Sequence, residues 1–112
     1  MSKLAEAGKA DELQDGTMKE ISVEGHKLLL ARVGGQYYAA DNTCPHLRGN
    51  LAKGKLEGTI VTCPRHGSQF DLTDGHVVRW LKKTDVSDPK IAGKRIITYN
   101  VTLQDGKIMV EI

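Results

Sequence analysis

The chain has 112 residues, 39% apolar and 27% charged, with a formal net charge of +2. That length fits one domain, 1–112, with a modest hydrophobic core. The charges are interspersed, eight basic and eight acidic up to Pro64 and then eight and six, which excludes a nucleic-acid tail or polybasic anchor, and no run approaches the roughly 18 apolar residues of a bilayer span.

Twelve glycines against three prolines imply many turns. A single helical turn fits around Lys9 to Leu13, before the first strand signals. Met18 to Val23 and Lys27 to Val33 read as strands around a Glu24-Gly25 turn. Gly34-Gly35 leads into a third strand, Gln36 to Ala40. Thr59 to Thr62 is a short β-branched run. Asp74-Gly75 separates strands at Gln69 to Leu72 and His76 to Trp80. Arg95 to Leu103 and Lys107 to Ile112 flank Asp105-Gly106, a further hairpin signal. No window of ordinary helical length has apolar residues at helical spacing. The expected fold class is all-β, with stacked antiparallel sheets. Three segments do not read as strands: Asn42 to Gly58, Cys63 to Gly67 and Lys82 to Gly93. A rigid β scaffold that presents loops is where small domains place their chemistry.

Met1 to Gly8 lacks the apolar core of a signal peptide, so the expected address is the cytoplasm. The two cysteines, Cys44 and Cys63, lie in two of the three loops, and each keeps a histidine nearby. The pattern is Cys44-x-His46, sixteen residues, then Cys63-x-x-His66. The halves are near-copies, Cys-Pro-His and Cys-Pro-Arg-His, in which proline stiffens the backbone between a thiolate and an imidazole. Gly49 and Gly67 follow, where backbone N–H groups can approach a sulfur. Two thiolates and two imidazoles suit either a structural zinc site or an iron–sulfur cluster. Zinc fingers usually group Cys with Cys and His with His, which differs from the grouping here. A Cys44–Cys63 disulfide would leave the matched histidines unexplained.

The sequence resembles the Rieske ferredoxins, whose signature is C-x-H, a spacer of about this length, and C-x-x-H. Pro45, Gly49, Leu51, Gly54, Pro64, Gly67, Phe70, the Tyr38-Ala39 approach and the closing Asp105-Gly106 hairpin also match. The resemblance implies one Rieske-type [2Fe–2S] cluster in a small subdomain formed by two loops, about 42–58 and 63–75. Cys44 and Cys63 would hold the inner iron, and His46 and His66 the outer one. Neutral imidazoles in place of two thiolates make reduction easier, which is why such potentials lie at about −150 to +300 mV rather than about −400 mV.

High-potential relatives add a disulfide over the cluster and hydroxyl donors from a Ser and a Tyr. This chain has no spare cysteine; Ser68 is present, and Phe70 stands at the Tyr position. A low to intermediate potential is therefore expected, with Arg65 and Arg48 pulling it upward. Pro45, Leu47, Arg48 and Arg65 would form a docking patch around the imidazole edges. The implied role is a monomeric one-electron carrier, not itself an enzyme, docking transiently to a flavin-dependent reductase and a terminal Rieske non-haem iron oxygenase. The rival role is a non-catalytic small subunit of a larger reductase, such as a nitrite reductase. Lys82 to Gly93 corresponds to the family's proline-containing loop that shelters the cluster. His26 and His76 read as surface residues, and Trp80, Tyr37, Tyr38 and Tyr99 as packing or sheet cover.

Overall fold

A computed structural model describes residues 4–43, 50–64, 67–79 and 95–112. In chain order the strands are β1 (Leu4–Lys9), β2 (Thr17–Val23), β3 (His26–Val33), β4 (Gln36–Asp41), β5 (Lys55–Glu57) and β6 (Ile60–Thr62). They continue as β7 (Gln69–Asp71), β8 (Val77–Arg79), β9 (Thr98–Tyr99), β10 (Val101–Gln104) and β11 (Lys107–Glu111). Short 3-10 turns cover Ala10–Glu12 and Leu51–Lys53. Among the described residues these form three antiparallel sheets, ordered β1-β11-β10, β2-β3-β4-β9 and β5-β6-β7-β8. Among the described residues no helix is long and apolar enough to cross a membrane.

The middle sheet owes its place to the run Leu28-Leu29-Leu30-Ala31, none of which is exposed. Successive strand residues face opposite sides, so an uninterrupted apolar run marks a strand covered on both. Leu28 and Leu30 pack with Ala39, Ile108 and Val110 against the β1-β11-β10 sheet. Leu29 and Ala31 pack with Ala40, Leu51, Val61, Cys63, Phe70 and Leu72 towards the β5–β8 sheet. Each buried Leu contributes about 1.5–3 kcal/mol, so the middle sheet is the spine on which the other two depend.

The Glu24-Gly25 and Asp105-Gly106 turns have positive φ at both residues (51° and 82°, 52° and 74°), the geometry that matches the twist of a two-residue hairpin. The tyrosines tie elements together. Tyr37 donates its hydroxyl to the Ala10 carbonyl at 2.9 Å and Tyr99 donates to Asp41 Oδ1 at 2.7 Å. Burial and the Asp41 carboxylate together push the Tyr99 hydroxyl up to about 12.

Two readings of the sequence need correction, and one strand was not foreseen. Leu4–Lys9 is a strand, held by pairing with β11 at the far end of the chain. The segment 42–58 is not all loop, since it contains the Leu51–Lys53 turn and β5, which forms a hairpin with β6. The stretch 95–103 is not one strand. β9 pairs with β4, and after Asn100 β10 pairs with β11; the Glu111 N–H bonds to the Asn100 carbonyl at 2.9 Å as the chain passes from one sheet to another.

Gly54 links the Leu51–Lys53 turn to the end of β6. A Cβ on Gly54 would lie 1.8 Å from the Thr62 carbonyl oxygen and 3.1 Å from Pro64 Cδ. Its φ is −87°, so the requirement for glycine is space and not a left-handed backbone. Gly54→Ala must therefore displace the backbone that leads into Cys63. An overpacking loss of about 1–3 kcal/mol is expected, read as a lower urea midpoint at unchanged slope.

Candidate metal centre

Both cysteine loops are closed at the base by backbone pairing. Thr43 bridges Asn50 antiparallel, and the Leu51 N–H bonds to the Asn42 carbonyl at 2.9 Å. Thr62 pairs with Gln69 across β6 and β7. Each closure encloses six residues, 44–49 and 63–68. In each, the cysteine is the first residue inside. The likeness of Cys-Pro-His and Cys-Pro-Arg-His therefore extends to loop size and to the cysteine's position in the loop.

The first loop is anchored by a polar cluster. Asn42 is 3% exposed, and its carboxamide is used on both sides. Nδ2 donates to Glu20 Oε2 at 2.7 Å and to Asn50 Oδ1 at 2.9 Å, while Oδ1 accepts the Ala52 N–H at 2.9 Å. Asn50 Nδ2 donates to the same Glu20 oxygen at 2.6 Å. A buried amide left unpaired would cost about 1–3 kcal/mol, so this network fixes the two ends of the loop to each other and to β2.

The second loop is held by its own backbone and by β8. The Cys63 N–H donates to the Ser68 carbonyl at 2.7 Å, and the Gly67 N–H to the Cys63 carbonyl at 3.1 Å. Gly67 has φ +79°, a left-handed conformation that costs other L residues roughly 1–2 kcal/mol. Arg79 donates from Nε and Nη2 to the Gly67 carbonyl at 3.1 and 3.0 Å. Gln69 Nε2 donates to Thr62 Oγ1 at 3.1 Å, across the mouth of the loop.

The close approach at Gly54 sets the bases of the two loops side by side, because the chain leaving the first runs against the chain that opens the second. At this junction lies a cleft of about 390 Å³, lined by Lys53, Gly54, Lys55, Thr62, Cys63 and Pro64. Cys63 is 2% exposed and its thiol is free. A thiol without a disulfide partner, between an apolar wall and a cleft, suits a soft metal centre, and the residues present fit an iron–sulfur group. Ser68 and Phe70 are both wholly buried. Phe70 sits in the core with Val61, Leu72 and Val77.

Cys44, Pro45, His46, Leu47, Arg48, Gly49, Arg65, His66, Trp80 and the Lys82 to Gly93 loop lie outside the described residues. His26 is exposed at the β2–β3 turn. His76 is exposed and paired with Asp74, whose carboxyl its hydrogen bonds hold below the usual range. Sequence reasoning missed Glu20, Asn42, Asn50 and Arg79. The Asp-Asn-Thr run before Cys44 was a usable signal for Asn42, since Asn is a residue that ties loops to their own backbone. Nothing local marks Glu20 or Arg79.

The Rieske [2Fe-2S] domain pattern matches residues 3–99. The ferredoxin component of the naphthalene 1,2-dioxygenase system of Pseudomonas putida is 30% identical over 110 residues, covering 98% of this chain and 96% of that protein. The Sphingomonas yanoikuyae B1 ferredoxin superposes with a TM-score of 0.79 at 27% identity, covering 96% of each chain. A chain from a complex of reduced oxygenase and oxidized ferredoxin in carbazole 1,9a-dioxygenase superposes with a TM-score of 0.79 at 28% identity, covering 96% of this chain and 91% of that one. The zinc alternative gives way to the iron–sulfur one, because the likeness to the ferredoxins spans nearly the whole chain. The chain belongs to the Rieske [2Fe–2S] domain family, and its cofactor is one Rieske-type [2Fe–2S] cluster.

Proposed function

We propose that this protein is a ferredoxin that carries one electron at a time from a flavin-dependent reductase to a terminal Rieske non-haem iron oxygenase. The observation that carries this reading is the pair of matched six-residue loops, whose bases meet at Gly54, in a chain whose relatives of the same extent are ferredoxin components of dioxygenase systems. It acts as a carrier and not as an enzyme, free in the cytoplasm, as a monomer that meets each partner transiently.

Cys44 and Cys63 would bind one iron, and His46 and His66 the other. When bound, the cluster would supply a centre that accepts and releases a single electron. The chain's own residues do the rest. The core around Cys63 keeps water from the thiolate side, which favours the lower-charge state. The paired bases fix the ends of both loops, which limits how far they can move on transfer. Pro45, Leu47, Arg48 and Arg65 would form the docking face, a small patch suited to brief contacts.

Ser68 and Phe70 set the potential within the family range. A Ser68 hydroxyl donating towards the cluster would stabilise the reduced form, and Phe70 offers no donor. Ser68→Ala is expected to lower the potential and Phe70→Tyr to raise it, measured by protein-film voltammetry; no shift in either contradicts the assignment. In Phe70→Tyr the new hydroxyl is buried, so without a partner it costs about 1–3 kcal/mol. A raised potential with little loss of stability is therefore the joint result expected.

The role itself is tested by stopped-flow spectroscopy. The protein should be reduced by a flavin-dependent ferredoxin reductase and reoxidised by a terminal oxygenase, each in a second-order step. A protein that elutes only within a large, stable reductase complex and exchanges no electrons when free would contradict the carrier reading.

A further inference from the structure

In β8, Val77 is buried in the core beneath the cluster loops, and Arg79 lies two residues further along. In a regular strand these two would share a face, which would aim a guanidinium into the core. The pairing avoids this. One step along β7, from Gln69 to Phe70, spans two along β8, from Arg79 to Val77, and leaves Val78 as the extra residue of a bulge. Bulges re-aim side chains, and this one turns Arg79 out over the second ligand loop. There Nε and Nη2 both bond to the Gly67 carbonyl, whose own N–H is bonded back to the carbonyl of Cys63. A Cβ on Gly67 would stand 3.3 Å from Arg79 Nη2, so the guanidinium rests against the loop.

We propose that Arg79 is a positioning and potential-setting residue of the metal centre. Its planar fork fixes the Gly67 carbonyl between His66 and Ser68, and its permanent charge stands beside the loop that holds two of the four ligands. A fixed cation stabilises the more negative, reduced state, and so raises the potential. Because Arg79 is exposed, salt weakens that effect. Lysine would keep the charge but not the fork. The proposal rests on the reading of Cys63 and His66 as cluster ligands.

The test uses the cluster-loaded protein with Arg79→Met, Arg79→Lys and, as a control, Arg95→Gln. Arg95 also clamps a carbonyl, that of Asp74, but outside the ligand loops. Film voltammetry should show a lower potential in Arg79→Met, a smaller drop in Arg79→Lys and none in Arg95→Gln, and high salt should narrow the gap between wild type and Arg79→Met. Reduced-state EPR g-values should move in both Arg79 variants, since both lose the fork. Unchanged potential and g-values in variants that keep the cluster spectrum overturn the proposal. If Arg79→Met does not retain its cluster, Arg79→Lys decides by its g-values alone, and wild-type values there overturn the proposal too. A wild-type protein with no iron–sulfur spectrum would instead remove the proposed function beneath it.

Discussion

The site depends on one steric constraint, the crossing of two backbones at Gly54. The chain leaving the first cysteine loop passes so close to the Thr62 carbonyl that a methyl group would lie 1.8 Å from it. Beside that contact Leu51, just past the first loop, shares a core with Val61 and Cys63 at the start of the second. The three-layer arrangement supports the crossing from beneath. Leu29 and Ala31 of the middle sheet present the apolar face onto which that core settles, while Leu28 and Leu30 fasten the same strand to the opposite layer. A disturbance at Gly54 therefore reaches the spacing of the loops before it reaches the spine.

Each loop also has a charged anchor, and the two differ in sign. The Glu20 carboxylate receives both asparagine amides at the base of the first loop, whereas the Arg79 guanidinium grips the carbonyl of Gly67 in the second. Two neutral imidazoles already bring a Rieske cluster close to neutrality. On the proposed reading of the ligands, the potential of such a centre responds to single groups such as Ser68 and Arg79. On that reading the hydrogen bonds of Arg79 both hold Gly67 and place the charge.

Much of this was legible in the chain because local chemistry dictated it. The Glu24-Gly25, Gly34-Gly35 and Asp105-Gly106 turns announced their hairpins through residues that accept positive φ. Leu28 to Ala31 announced a strand covered on both faces. The two cysteine loops stood out because cysteine, proline and histidine recur there at matched spacing. What stayed hidden depends on distant partners. Leu4–Lys9 contains Ala, Glu, Gly and Lys, residues poor in strand propensity, and becomes a strand only through β11. Lys55–Glu57 is three residues long and is defined by β6. The break at Asn100 reflects a change of sheet, which no local preference encodes. Arg79 acquires its role from a bulge, visible only once β7 and β8 are paired.

The central claim is that two cysteines and two histidines, one of each per loop, hold a single [2Fe–2S] cluster. The most direct measurement is iron and acid-labile sulfide analysis of the purified protein, combined with reduced-state EPR, on wild type and on single histidine-to-alanine variants. Two irons and two sulfides per chain with a Rieske-type signal are expected, abolished or altered in His46→Ala and His66→Ala and unchanged in His26→Ala and His76→Ala. A colourless protein containing zinc, or a signal insensitive to His46 and His66, would contradict it.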